Sequence, residues 1–395
     1  MIDIKPPGQV EFVLRRLTSA GHAAVIVGGC VRDSILKRCV HDWDLASSAK
    51  PEEVACLFDN TVMTGEKYGT VTVVFPESKV EVTTFRTEGG YDDGRRPGSV
   101  EFVTSLDEDL SRRDFTINAI AITIDGEVID PFGGYEDLEN RLIRCVGEPD
   151  IRFAEDALRM FRAFRFCAEL GFDIEYGTLD SIRKNAGKAQ LISAERIRDE
   201  LEKTLISHKP EIAGEIIRAG LLEGRLPGTV EIPDNLGRLA ALPDEPALRW
   251  CAFCAVLREK GLIGMAGGFL RGMRLNAKTV RNIESALSIP GFPDCRIEMK
   301  RFLAKHGSDA VRCAAAADDT LHGGKALSEC DEVIRSGECF SLDALAVSGR
   351  DLISAGHPPG RDMGNTLADL LNHVIEHPED NTRDALLGIL NTTGY

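Results

Sequence analysis

The stretch from Val25 to Ala46, VIVGGCVRDSILKRCVHDWDLA, holds the residues whose types and spacing point most directly to chemistry. A short apolar strand runs into Gly28-Gly29, and a helix is expected to start near Cys30. Two glycines let backbone N–H groups approach a phosphate closely, and a helix N-terminus beyond them favours negative charge. Arg32, one turn in, can add charge-assisted hydrogen bonds to the same phosphates. Asp42 and Asp44 are two apart, so a β-strand turns both carboxylates to one face and Trp43 to the other. Paired carboxylates without soft ligands suit Mg²⁺, which takes one or two of them plus phosphate oxygens and water. Taken alone, these residues also fit a plain strand–helix turn followed by a solvated strand end.

Further chemistry-bearing groups follow in order. Glu81 lies in KVEVTTFR, where Val80 and Val82 take one strand face and Glu81, Thr83 and Phe85 the other. It is either an exposed strand residue or a third carboxylate beside Asp42 and Asp44. Residues 86–102, RTEGGYDDGRRPGSVEF, are Gly-rich and charged and read as a mobile surface loop. Arg112, Arg113 and Asp114 stand just ahead of an apolar run in LSRRDFTINAIAI. RFAEDALRMFRAFRFCAELGF reads as one helix from Arg152, with Ala157, Phe161, Phe164 and Ala168 on its apolar face. Asp156 and Arg159 lie a turn apart on another face, and Arg162 and Arg165 continue a basic spiral. One reading is an ordinary surface ion pair worth tenths of a kcal/mol, on the order of 0.3. The sharper reading uses their chemistry: an acceptor-only carboxylate beside a donor-only guanidinium matches the amino and ring-nitrogen edge that cytosine and adenine share. Uracil and guanine present the reverse pattern and would leave buried groups unpaired.

GG-x-x-R-D followed by D-x-D resembles the first motif of the DNA polymerase β superfamily of nucleotidyltransferases, in particular the bacterial tRNA CCA-adding enzyme and poly(A) polymerase group. RRDFTINA matches that group's second motif, DPFGGYEDLENRLIRCVG its third, EDALRMFR its fourth and LISAERIRDELEKTLIS its fifth. The resemblance implies template-independent addition of C, C and A to the tRNA 3′ end from CTP and ATP, with Mg²⁺ held by Asp42 and Asp44. Glu81 takes the place of the third acidic residue. Gly29, Arg32 and Arg113 are implied to bind the nucleotide, Asp114 to be structural, and Gly133-Gly134 to be a hinge. Asp156 and Arg159 are implied to read the base, and Arg162 and Arg165 to face phosphate or ribose. The loop over residues 86–102 is similar to one that CCA-adding members keep and CC-adding relatives lack. The fifth motif implies scaffolding for the base-reading helix. An A-adding enzyme remains an alternative, and a poly(A) polymerase a more distant one.

The elements that must position these residues divide the chain. Up to residue 148 the pattern is mixed α/β, with an amphipathic helix over residues 8–20, a helix from Pro51, strands at TVTVVF and KVEVTTFR, and a hairpin over 118–130 turning at Asp125-Gly126 in type I′ geometry. The fold class expected is an α/β head of the polymerase-β-like nucleotidyltransferase type, a mixed sheet with helices, followed by an all-α neck (149–207), body (208–335) and tail (336–395). TGEKYGT reads as the turn before a strand. Arg274, Lys278 and Arg281 fall at helical spacing, as a solvated basic face or a tRNA-backbone contact. Cys251 and Cys254 read as core packing, and His373, Glu376 and His377 match H-x-x-E-H at a helix end before Pro378.

The composition sets limits. Eleven cysteines without repeating spacing fit free thiols in a reducing cytoplasm, and no stretch is long enough to span a membrane. A net charge of −16 runs against a protein that grips RNA through phosphate neutralisation, and demands a local basic surface if RNA is the partner. Either a monomer or a homodimer is compatible with the sequence.

Overall fold

Alternating apolar residues in the first half and 3.6-residue periodicity in the second give two different architectures. The computed structural model describes residues 4–40, 42–65, 69–89, 99–226, 234–293, 295–358 and 360–393. The chain separates into two compact units, residues 1–204 with 212–224, and residues 205–211 with 225–395.

The first unit opens with helix α1 (Gly8–Ser19), whose Val10, Val13, Leu14 and Leu17 form one buried stripe. There follow β1 (Ala24–Val27), α2 (Gly29–Ile35), β2 (Asp44–Ser47), α3 (Pro51–Leu57), β3 (Thr61–Gly65), β4 (Thr70–Val74) and β5 (Lys79–Thr84). Next come β6 (Arg86–Gly89), β7 (Ser99–Phe102), α4 (Leu106–Ser111), a 3₁₀ turn at Thr116–Asn118, β8 (Ala121–Ile122), β9 (Val128–Ile129), α5 (Gly134–Glu139) and β10 (Leu142–Ile143). The unit continues through α6 (Pro149–Glu155), α7 (Leu158–Leu170), β11 (Asp173–Ile174), α8 (Tyr176–Asn185), α9 (Ala194–Ile206) and α10 (Ile212–Arg218).

The main sheet has seven strands in the order β3-β4-β5-β2-β1-β8-β9. Within this sheet, among the described residues, only β2 and β5 pair in parallel, with Asp44 opposite Glu81 and Ala46 opposite Thr83. The face bearing Asp44 is open at that end. Farther along it is closed by a core of Val25, Val27, Ala46, Phe85, Leu110, Ala119, Ala121 and Val146. Phe85 therefore shares a face with Glu81 in sequence but is buried. β2 begins at Asp44, so Asp42 precedes the strand instead of lying within it.

Several expectations are corrected. The flanks of the 86–102 segment are not loop: β6 and β7 pair antiparallel from Arg86–Phe102 to Gly89–Ser99, and residues 90–98 lie outside the described residues. The Asp125-Gly126 turn is not type I′, which needs positive φ at both centres; among the described residues here only Gly126 has it, at 80°. Gly126 N–H donates to the Thr123 carbonyl, so the hairpin turns through ordinary right-handed residues closed by one left-handed glycine. The helix expected from Arg152 is two helices. α6 stops at Glu155, and Asp156 is extended (φ −143°, ψ 104°) before α7 begins. Gly133-Gly134, expected as a hinge, is closely packed at its second residue. Gly133 is left-handed, but a Cβ on Gly134 would overlap the Thr116 carbonyl, and the Asp130 carboxylate accepts from the N–H groups of Gly134 and Tyr135 at 2.8 Å each. The TGEKYGT turn is described only at its ends, residues 66–68 lying outside the described residues.

The second unit is helical: α11 (Pro246–Glu259), α12 (Ala266–Gly272), α13 (Ala277–Ala286), α14 (Arg296–His306), α15 (Ser308–His322), α16 (Ala326–Arg335), α17 (Gly349–Ser354), α18 (Arg361–Glu376) and α19 (Arg383–Thr393). Cys251 and Cys254 are fully buried on α11 beside Trp250 and Phe253, as core. Arg274 does not share the α13 face with Lys278 and Arg281; it lies between helices with φ 59°. His373 pairs with Asp380 at 2.7 Å, and His377 ends α18. Among the described residues no helix is long and apolar enough to cross a membrane.

Candidate active site

An open cleft of about 840 Å³ in the first unit gathers residues from β1, α2, β2, the 112–118 segment, α7 and α9. At its floor, Gly28 takes φ 79° and ψ −141°, a backbone open mainly to glycine. A Cβ there would come within 3.1 Å of Arg113 Nη1 and 3.8 Å of Asp44 Oδ2, so the glycine lets both groups crowd the turn. α2 begins directly at Gly29 and turns its first N–H groups toward this floor. Arg32 is nearly buried and clamped. Nε and Nη2 donate to the two oxygens of Asp33 at 2.9 Å each, and Nη1 donates to Asn118 Oδ1 at 2.7 Å.

Asp42 and Asp44 both line the cleft. The Asp44 carboxyl is raised above its ordinary range: the cleft walls strip part of its hydration, and nearby Glu81 and Asp42 add repulsion that Arg113 only partly offsets. Glu81, half-buried, faces Asp44 across the parallel register but does not line the cleft, and its carboxylate lies 3.8 Å from the Lys79 ammonium. Asp42, Asp44 and Glu81 thus concentrate hard oxygen donors whose negative field Arg113 and Lys79 offset only in part, and which a small divalent cation relieves. Among the described residues no three such side chains are arranged to hold an ion by themselves. A cation here would have to share its shell with phosphate oxygens and water, as Mg²⁺ does.

The cleft lining is also rich in arginine. Arg32, Arg86, Arg112, Arg113, Arg159, Arg162, Arg165, Arg196 and Lys203 belong to it, against the carboxylates of Asp42, Asp44, Asp114 and Asp156. A chain of net charge −16 therefore gathers nine cationic side chains in this cleft, the local concentration that an RNA partner demands. The arginines are held by acids behind them. Asp109, fully buried, accepts from Arg112 at 2.7 Å and Arg113 at 3.2 Å. Burial alone would raise its carboxyl, but the two guanidiniums bring it below the ordinary range. Asp114 accepts from Arg162 at 2.6 Å and from Asn118 Nδ2 at 3.0 Å. Burial opposes its charge, yet Arg162 and Asn118 hold it well below the usual carboxylate range. Arg165 donates to Glu200 at 2.5 Å and Glu169 at 2.7 Å. Arg32, Arg162 and Arg165 also pack around one ring, Phe166, at 5.0, 5.3 and 4.0 Å from its centroid.

Asp156 and Arg159 both line the cleft, but they are not each other's ion pair. Arg159 donates to Glu155 at 2.6 Å and to the Arg112 carbonyl at 3.0 Å. Asp156 Oδ1 accepts from the Leu158 N–H at 3.0 Å, which caps α7, and the Arg196 guanidinium grips both carboxylate oxygens at 3.2 and 2.7 Å. α9 also lines the cleft, through Arg196 and Lys203.

Sequence reasoning missed Asp109, Asn118, Phe166, Arg196 and Lys203. Two signals were available: Asp109 lies three and four residues before Arg112 and Arg113. Arg196, Glu200 and Lys203 also recur at i, i+4 and i+7, a charged stripe on one side of α9.

Comparisons with known proteins place the chain in a family. Residues 24–144 match the family described as "Poly A polymerase head domain", residues 171–232 that described as "Probable RNA and SrmB- binding site of polymerase A", and residues 247–390 a tRNA nucleotidyltransferase domain 2. The CCA-adding enzyme of Limosilactobacillus reuteri (strain DSM 20016) is 53% identical over 384 residues, covering 95% of this chain and 94% of that one. The CCA-adding enzyme of Limosilactobacillus fermentum is 40% identical over 393 residues, again covering 95% and 94%. Among solved structures, the Bacillus stearothermophilus CCA-adding enzyme in complex with CTP superposes with a TM-score of 0.79 at 35% identity, covering 99% of both chains. The seven-stranded head is thus the polymerase-β-like nucleotidyltransferase head, and the chain belongs to the CCA-adding enzyme family of tRNA nucleotidyltransferases.

Proposed function

We propose that this cleft adds C, C and A, in that order and without a nucleic-acid template, to the 3′ end of tRNA. The observation that carries the reading is the meeting, in one basic cleft, of the Gly28-Gly29 turn, the Asp42 and Asp44 carboxylates and the Asp156 and Arg159 pair. The chain's similarity to enzymes named for CCA addition favours it over A-only addition or poly(A) synthesis.

In the reaction the terminal 3′-hydroxyl of tRNA attacks the α-phosphorus of CTP or ATP. The α–β phosphoanhydride bond breaks, pyrophosphate leaves with the bonding electrons, and the hydroxyl proton is lost. Asp42 and Asp44 would hold Mg²⁺, which when bound neutralises phosphate charge and acidifies the attacking hydroxyl. Glu81, opposite Asp44 in the sheet, adds negative potential there. The Gly29 turn receives the triphosphate, with Arg113 and the remaining N–H groups of Arg32 reaching it. Arg162 and Arg165 meet ribose or phosphate with the donors that Asp114, Glu200 and Glu169 leave over. Asp156 accepts from the base's amino group and Arg159 donates to its ring nitrogen, the pattern common to cytosine and adenine. Free thiols, eight of the eleven buried, fit a cytoplasmic setting for this work.

Asp42→Ala and Asp44→Ala test the assignment. Either is expected to lower incorporation by at least about a thousandfold, since the main charge stabilisation at the phosphorus goes with it, while tRNA affinity measured by filter binding stays within a few fold. Retained turnover in the double variant would refute the assignment.

A further inference from the structure

Asp156 lies where neither helix holds it. Its backbone is extended between α6 and α7, so helical geometry does not fix the direction of its side chain. Two contacts do. Oδ1 is tied to the start of α7 through the Leu158 N–H, and the Arg196 guanidinium spans both oxygens from α9. Oδ2, the oxygen not engaged in capping, has Arg196 Nη2 at 2.7 Å as its anchoring donor. The pair is partly enclosed, with the two side chains 21% and 17% exposed, so water competes weakly for the fork. One turn along, Glu200 grips Arg165 of α7 with the opposite polarity, so α9 meets the base-reading segment through two ion pairs that fix its register.

We propose that Arg196 is the positioning residue for base selection: it aims the acceptor edge of Asp156, and discrimination between C or A and U or G depends on that aim. The proposal rests on the reading of Asp156 as a base-reading carboxylate. A carboxylate oxygen has two lone pairs, so Oδ2 can accept from Arg196 and from a base amino group together. Without the fork only the Leu158 N–H bond to Oδ1 restrains the carboxylate, and Oδ2 loses its fixed direction. It then no longer opposes the carbonyl oxygen that uracil or guanine would bring.

The test compares wild type with Arg196→Met, Arg196→Lys and Asp156→Ala, each shown to be folded by its melting profile, on a tRNA transcript lacking its 3′ CCA. The readouts are kcat and KM for CTP against UTP, and for ATP against GTP on a transcript ending in CC. Arg196→Met is expected to reduce both selectivity ratios about tenfold or more, the effect of losing a hydrogen bond to a charged group. The loss should appear chiefly in KM for CTP and ATP, with kcat within a few fold. Arg196→Lys, which can offer one bond to Oδ2 but no fork, is expected to fall between the two. A purely structural Arg196 would lower the melting temperature or kcat and leave both ratios unchanged, and that result overturns the proposal. If Asp156→Ala relaxes selectivity and the Arg196 variants do not, only the positioning role fails. If Asp156→Ala itself leaves selectivity intact, the base-reading role fails, and the positioning role with it.

Discussion

Asp114 shows how single residues in this cleft carry two kinds of information. Its place in R-R-D-F-T implies a structural residue by resemblance, and its carboxylate lines the cleft while holding Arg162 and Asn118. Because its folded pKa lies below the unfolded value of about 4, the group stabilises the fold fully above that pH and loses the contribution as pH falls toward the folded value. Asp114→Asn is therefore expected to be less stable than wild type by about 2–3 kcal/mol at pH 7, with the gap narrowing below about pH 4. Urea melts of the two proteins at pH 7 and pH 3 check the sign; a gap that widens on acidification would contradict it. The residues legible in the sequence were those whose chemistry is local, such as Gly28, Arg32, Asp42 and Asp44. Those it concealed act across long separations. Nothing near Asp156 in the chain announces Arg196, forty positions away, and Phe166 reads as one more apolar residue of its helix until three guanidiniums are seen around it.

At the scale of elements, strand alternation located β1, β2, β4 and β5, and helical periodicity marked the second half of the chain as helical without bounding most of its helices. What they misjudged were junctions. The Asp156 break falls inside an unbroken helical pattern, because an aspartate that caps a new helix looks from sequence like one on a helix surface. The Gly133-Gly134 pair reads as a hinge because glycine permits motion, but Gly134 is there to admit the Thr116 carbonyl. Thr116 is itself fixed, its hydroxyl donating to Asp137 at 2.6 Å, and Asp137 pairs with Arg144 at 3.1 Å. Gly134→Ala should thus force α5 away from the 116–118 turn and cost about 1–3 kcal/mol. Calorimetry is expected to show a lower melting temperature for the transition of the first unit. An unchanged melting temperature with a slowed kcat would favour the hinge instead.

At the scale of the molecule, an acidic chain presents one basic cleft, and this resolves the tension between net charge and an RNA substrate. Repulsion from the acidic remainder favours release of a polyanionic product, while the cleft retains attraction where the reacting end must sit. The central claim is that one cleft chooses CTP twice and ATP once and then stops. Sizing the products on a sequencing gel, after incubating a tRNA transcript lacking its 3′ CCA with CTP alone, ATP alone or both, tests it most directly. The account predicts two added residues with CTP alone, no efficient extension with ATP alone, and a single product three residues longer, ending in CCA, with both. Long A tracts, addition of A only to a transcript already ending in CC, or no extension at all would contradict it.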